Sequence, residues 1–317
     1  MYKDKSVAVV VPAHNEEKLI IKTLSTIPDF VDRVIVINDA SEDNTLKLIK
    51  EYMRKDKRVT LINHQTNEGL GKSLIDGYLK SLEFKSHITA VMAGDAQMDP
   101  DDLPCVIEPI VSGKADYVKG NRLLVKDVTK SMPAYRFYGN ALLTLLTKFA
   151  TGYWHIIDPQ CGYTAISYHA LETIDISRMH RGYGYNADIL TRLNILNFRV
   201  ADVTVKPVYG EEVSGIKLRS YIPKVSKLLA KLLLLRIWEK YIIRDFHPLV
   251  FFLVGGFIFS LLGIILGNMM LYVKITRDFI SIPTAILFTI LIGFGFQALC
   301  LGIWLDMDYN KILNANK

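Results

Sequence analysis

An acid and an amide two residues apart, Asp95 and Gln97, follow the apolar run Thr89–Met92 in Gly94-Asp95-Ala96-Gln97. Side chains so spaced at a strand end point the same way. Such an oxygen pair suits a hard cation, Mg²⁺ or Mn²⁺, which completes its shell with water or phosphate oxygens. The cation would bridge a diphosphate and offset charge on a departing nucleoside diphosphate. Asp99, Asp101 and Asp102 read instead as acids in the first turn of a helix, facing the positive end of its dipole. Asp39 closes the run Arg33–Asn38, where an acid can accept hydrogen bonds from a ribose or a base. Gly71-Lys72-Ser73 looks like the end of a P-loop, but the spacing needs a glycine where Thr66 stands. The segment is therefore read as a glycine loop that lets a nucleotide approach the backbone, not as a hydrolytic loop.

These residues need a scaffold that brings them to one edge. Short β-rich runs at Val7–Val11, Arg33–Asn38, Val59–Asn63 and Ile88–Met92 alternate with helical patterns at Glu16–Thr26, Asp43–Lys55, Gly71–Leu82 and Asp101–Ser112. That alternation predicts βαβ units and a mostly parallel sheet flanked by helices. Ligands of such sheets bind at the carboxyl ends of the strands. The segments there are Pro12-Ala13-His14-Asn15-Glu16, Asn38-Asp39-Ala40-Ser41, Asn67–Lys72 and Gly94–Gln97. Any one could be an ordinary turn or cap, but four on one edge argue for a site. Beyond them, Tyr135–Thr151 and Asn186–Asn197 read as helices, with strands at Tyr117–Gly120 and Arg199–Val205.

Two uncharged apolar runs, Pro248–Val273 and Phe279–Leu305, close the chain. Each exceeds the roughly 20 residues that cross about 30 Å of hydrocarbon, and the short link between them predicts a transmembrane hairpin. Between Lys217 and Arg244 stand eight Lys/Arg and one acid, Glu239. Positive residues collect on the cytoplasmic side of membrane helices, so the catalytic domain and the tail 306–317 are expected to be cytoplasmic. Residues 1–221 then form the catalytic domain, 222–247 amphipathic juxtamembrane helices and 248–305 the hairpin. Lys224, Lys227 and Lys231 share one face of that juxtamembrane stretch, as in a helix lying among headgroups. Glycines at 255, 256, 263, 267, 293 and 295 would permit close packing of the spans, and a homo-oligomer is left open. Basic residues without interleaved aromatic platforms argue against nucleic acid, and three dispersed cysteines argue against a disulfide framework.

Taken together, Val9–Glu17, Ile37–Thr45, Asn67–Lys72 and Gly94–Pro100 resemble the family 2 glycosyltransferases with the GT-A fold. Asp158-Pro159-Gln160-Cys161-Gly162-Tyr163 and the hairpin are similar to the polyprenyl-phosphate (dolichol-phosphate) branch. The resemblance implies that Pro12, Asn15 and Glu16 line the nucleotide pocket, with Asp39 near the base or ribose and Lys72 near the nucleotide. It implies that Asp95 and Gln97 hold the metal, that Arg122 holds the acceptor's phosphate and that Asp158 sits beside sugar and acceptor. Lys217 would lie on a loop closing over the diphosphates. Three positions depart from the family pattern: Ala93 where a first aspartate is common, Asn38 for aspartate, and His14 for an aromatic residue. The implied reaction is inverting transfer of one sugar from a UDP- or GDP-sugar to a polyprenyl or dolichyl phosphate. The alternatives are another membrane transferase, processive or with another lipid acceptor, and a non-catalytic sugar-nucleotide-binding scaffold.

Overall fold

The computed structural model describes residues 1–123, 134–206, 208, 218–277 and 279–316, as backbone alone at 134–138, 140 and 218–222. They divide into two units: Met1–Leu234 with Leu313–Lys317, and Leu235–Ile312.

The first unit is built on a seven-stranded sheet. Its strands are β1 (Val7–Ala13), β2 (Arg33–Asp39), β3 (Val59–His64), β4 (Ile88–Val91), β5 (Tyr117–Asn121), β6 (Thr164–Ser167) and β7 (Val200–Thr204). The order across the sheet is β3-β2-β1-β4-β6-β5-β7. β1 pairs in parallel with β2 and β4, β2 with β3, and β5 with β7. β6 alone runs antiparallel, between β4 and β5. Strands buried on both faces read as continuous apolar runs, and β1 is buried from end to end.

Alternate residues of each strand feed two cores. Val7, Val9 and Val11 pack with α1 (Ile20–Thr26), α2 (Thr45–Lys55) and α4 (Leu103–Val111) through Ile20, Leu24, Ile49, Leu103 and Val106. Ala8 and Val10 face the other way, toward α3 (Leu70–Glu83), α6 (Tyr168–Thr173) and α7 (Tyr185–Ile195) through Leu74, Tyr78, Leu171 and Ile189. This is the mostly parallel, helix-flanked sheet that the alternation predicts. α5 (Ala134–Thr151) precedes the segment leading into β6. The short β6–α6 pair is absent from the sequence reading, which runs from the Asp158 motif to the helix at Asn186.

α8 (Leu218–Trp238) buries Val225, Leu229 and Leu232 and exposes Lys224, Lys227 and Lys231. A π-helical turn, Glu239–Arg244, follows it. In the second unit, α9 (Leu249–Arg277) and α10 (Ile282–Tyr309) are long and apolar enough to cross a membrane. They pack as a hairpin on small residues. A Cβ on Gly256 would stand 2.8 Å from the Leu299 nitrogen, and one on Gly295 would stand 2.5 Å from Ser260 Oγ. Gly255 and Gly293 face open space instead.

Candidate active site

The parallel strands deliver their carboxyl ends to one edge, and β6, being antiparallel, begins there. The segment that enters β6 therefore brings Asp158 to the edge that carries Asp39, Asp95 and Arg122. Neighbouring strands lie about 4.8 Å apart. On that spacing the ends of β2, β4 and β5 fall roughly 10 Å from one to the next along the edge.

On the β1–β2 side, two turns are tied together through backbone. Pro12 is buried within β1, opposite Ile37. The Asn15 N–H donates to Ser41 Oγ at 3.0 Å, and the Glu42 N–H donates to Asn15 Oδ1 at 2.8 Å. The Glu16 N–H donates to Thr45 Oγ1 at 2.8 Å. Asn15, Ala40 and Ala96, all at this edge, adopt φ of 57°, 52° and 54°. Asparagine tolerates that left-handed region, but alanine enters it at a cost, and such strain concentrates at functional sites.

Asp39 is buried and heavily bonded. Its Oδ1 accepts from the Glu68 N–H at 2.9 Å and faces His64 Nδ1 at 2.8 Å; its Oδ2 accepts from the Gly69 N–H at 2.9 Å. Burial alone would raise this carboxyl's pKa. The His64 ring and the two N–H groups outweigh burial and hold it below the usual carboxylate range. His64 Nε2 faces Asp76 Oδ2 at 2.9 Å, and Lys72 Nζ donates to both Asp76 oxygens at 2.5 and 2.6 Å. A chain Asp39–His64–Asp76–Lys72 thus anchors the first turns of α3, which carry Lys72. His64 and Asp76 escape the sequence reading, although His64 ends β3 at the same edge.

The glycine loop receives a different explanation from the one expected of it. A Cβ on Gly71 would lie 2.2 Å from the His180 carbonyl oxygen and 2.7 Å from that of Arg181, while the Lys72 N–H donates to Arg181 O at 3.1 Å. Gly71 is small because another stretch of this chain lies against it.

β4 ends at Val91, so Asp95 and Gln97 stand in a turn, where strand periodicity does not align them. Their link is local: the Gln97 N–H donates to Asp95 Oδ1 at 3.1 Å. Burial pushes the Asp95 carboxyl up, and no Lys or Arg pairs with it among the described residues. A desolvated carboxylate with no cation beside it fits a divalent ion. Among the described residues no three acids, histidines or cysteines cluster as a ligand set. Mg²⁺ fits that sparse donor set, because it keeps several waters and takes phosphate oxygens alongside one or two carboxylates.

Arg122, at the end of β5, forks onto Asp158. Its Nε donates to Oδ2 at 2.8 Å and its Nη2 to Oδ1 at 3.2 Å. Asp158 is 5% exposed and Arg122 41%, so the pair holds an acid inside and shows a cation outside. Beneath them Lys119 is fully buried, donating to Cys161 O at 2.5 Å and to Asn186 Oδ1. Burial pulls the Lys119 amine down to about 8. A lysine within the strand Tyr117-Val118-Lys119-Gly120-Asn121 was the signal for it. Lys217 lies outside the described residues.

A family model described as "Glycosyl transferase family 2" matches residues 8–175, over half of the chain. UDP-N-acetylglucosamine--dolichyl-phosphate N-acetylglucosaminyltransferase of Methanococcus voltae is 31% identical over 223 residues, 66% of this chain and 88% of that protein. Undecaprenyl-phosphate mannosyltransferase of Micrococcus luteus is 27% identical, over 65% of this chain and 84% of its own. Glucosyl-3-phosphoglycerate synthase of Mycobacterium tuberculosis superposes with a TM-score of 0.54 at 19% identity, covering 74% of this chain and 80% of its own, and shows the shared fold. An ordered set of strand-end motifs on this sheet and the match across its whole first half lead to one assignment: the chain is a glycosyltransferase and belongs to glycosyl transferase family 2.

Proposed function

We propose that this glycosyltransferase moves one sugar from a nucleoside diphosphate donor to a polyprenyl phosphate at the membrane surface, inverting the anomeric carbon. The observation that carries the reading is a family 2 sheet in one chain with two spanning-length helices. The relatives named for dolichyl- and undecaprenyl-phosphate support it, and the Methanococcus voltae name supports a UDP donor. The basic stretch before the first span supports a cytoplasmic catalytic unit.

The nucleophile is a phosphate oxygen. With a second pKa near 6 it is already largely anionic at neutral pH, so attack needs no strong base. Both Asp158 oxygens accept from Arg122, which suits an acid that positions a guanidinium rather than one that takes a proton. Arg122 sets positive charge at the edge where the acceptor phosphate must approach a second anion, an effect of placement and electrostatics. As the new phosphate oxygen–carbon bond forms, the bond from the anomeric carbon to the donor's diphosphate breaks, and its electron pair leaves with the nucleoside diphosphate. In-line attack turns an α-linked donor into a β-linked product. Asp95 and Gln97 would hold Mg²⁺ or Mn²⁺, which when bound supplies positive charge against the leaving diphosphate. Pro12, Asn15, Glu16, Asp39 and Lys72 form the nucleotide side, with Asp39 acting through the loop it holds. Lys217 remains proposed for the diphosphates.

The test is incubation of the detergent-solubilised protein with Mn²⁺, a polyprenyl phosphate and radiolabelled UDP- and GDP-sugars, followed by organic extraction. Label in a lipid carrying one added sugar is expected. No label in lipid with any of the donors, while the protein still binds nucleotide by calorimetry, would sink the reading.

A further inference from the structure

Asp202 belongs to none of the motifs above, yet its carboxylate lies between the two segments that present Arg122 and Asp158. It stands on β7, opposite Lys119 in the parallel register with β5. Its Oδ2 accepts from Asn121 Nδ2 at 3.0 Å and from the Ile157 N–H at 2.9 Å. Asn121 immediately precedes Arg122, and Ile157 immediately precedes Asp158. Asn121 Oδ1 in turn accepts from the Leu123 N–H at 3.0 Å, so Arg122 is bracketed on both sides. The second oxygen, Oδ1, is buried with no partner among the described residues. An acid kept at that cost calls for an explanation beyond filling space.

The backbone of Asp202 is held from its other side by the segment that follows α10. The Asp202 N–H donates to Asn316 Oδ1 at 2.8 Å, and Asn316 Nδ2 donates to Asp202 O at 3.0 Å. Asn314 forms a parallel bridge with Val200, the Ala315 N–H donates to Val200 O at 3.0 Å, and Leu313 is buried in the core of the same unit.

We propose that Asp202 is a positioning residue for the acceptor side of the site: one carboxylate oxygen sets the spacing of the Arg122–Asp158 pair, and Asn316 fixes the strand that bears it. The kinetic part of this proposal rests on the lipid-phosphate reading above; the structural part does not. A fork of two hydrogen bonds depends on the placement of both backbones, and an error of one ångström in a positioning group costs roughly a hundredfold in rate.

The experiment compares Asp202→Ala, Asp202→Asn and Asn316→Ala with the full-length wild type. Hydrogen–deuterium exchange is measured without substrates, and initial rates are measured with donor and polyprenyl phosphate varied separately. Asn can still accept through one oxygen; Ala cannot. Asp202→Ala should speed exchange in peptides covering 121–123 and 156–159 while α3 stays protected. It should lower kcat/KM for the lipid phosphate at least about tenfold, with the donor KM within about twofold. Asp202→Asn should restore both readouts to within about threefold, and Asn316→Ala should move them the same way by less. Unchanged exchange in Asp202→Ala would overturn the proposal. So would equal shifts in the donor and acceptor constants, or an Asp202→Asn protein as impaired as Asp202→Ala. If Asp202→Ala does not fold, a near-normal Asp202→Asn beside an acceptor-specific loss in Asn316→Ala sustains the proposal, and wild-type behaviour of Asn316→Ala overturns it. Exchange that depends on Asp202 in a wild type unable to charge any lipid phosphate would sink the functional reading and leave the positioning role standing.

Discussion

At the scale of single residues, two carboxylates on one edge have opposite surroundings. Asp39 is saturated with donors, while burial leaves Asp95 in want of a cation. Asp95→Asn should therefore remove metal-dependent turnover while leaving the fold intact; unchanged rates with Mn²⁺ would reassign the metal. Asp39 carries a pH signature. Its folded pKa lies below the ordinary 3.8, so its stabilising contribution is fully present above that value and is lost as pH falls through the lower folded one. Thermal melting should decline below about pH 4 in the wild type and less steeply in Asp39→Asn. Arg122→Ala removes the guanidinium that forks onto both Asp158 oxygens and leaves that buried acid without its cation. It should raise the apparent KM for lipid phosphate more than that for donor, and the reverse pattern would move Arg122 to the nucleotide. Asp39 and Asp95 could be found in the sequence because each follows an apolar run by a fixed logic. His64, Asp76 and Asp202 could not, because their roles come from partners 12 to 114 residues away.

At the scale of elements, the first four strands were legible because each is a short β-branched run set between helical periods. β6 was not: four residues, Thr164–Ser167, carry too little pattern, and pairing with β4 and β5 decides their state. The turn after β4 misled in a different way. Strand alternation was extended past Val91 to Asp95 and Gln97, where Ala96 at φ 54° breaks it. The glycine loop shows how a nucleotide-like motif can answer to packing. Gly71→Ala would press a methyl against the His180 carbonyl and should lower unfolding free energy by about 2 kcal/mol or more, the scale of overpacking in a tight site. A variant that kept its melting temperature and lost only donor affinity would restore the nucleotide explanation.

At the scale of the whole molecule, the chain leaves the sheet-bearing unit at Leu234 and returns to it at Leu313. Between these points lie two helices long enough to span a bilayer; two crossings allow that return and one would not. Within the second unit, Arg236 near the end of α8 donates to both oxygens of Asp306 on α10, at 2.6 and 3.2 Å, and Tyr241 of the π-helical turn donates to the same acid at 2.6 Å. The helices themselves meet on glycine. Gly295→Val should loosen the pair, lowering the detergent melting temperature by several degrees, whereas Gly293→Ala, which faces open space, should leave it unchanged. Equal behaviour of the two variants would refute this packing. The return of the chain also bears on synthesis. β7 is an edge strand, and Asn316, its partner there, is translated 114 residues after Asp202. While both long apolar helices are being made, that edge waits for Asn316, so the sheet receives these bonds only after the second helix has been synthesised.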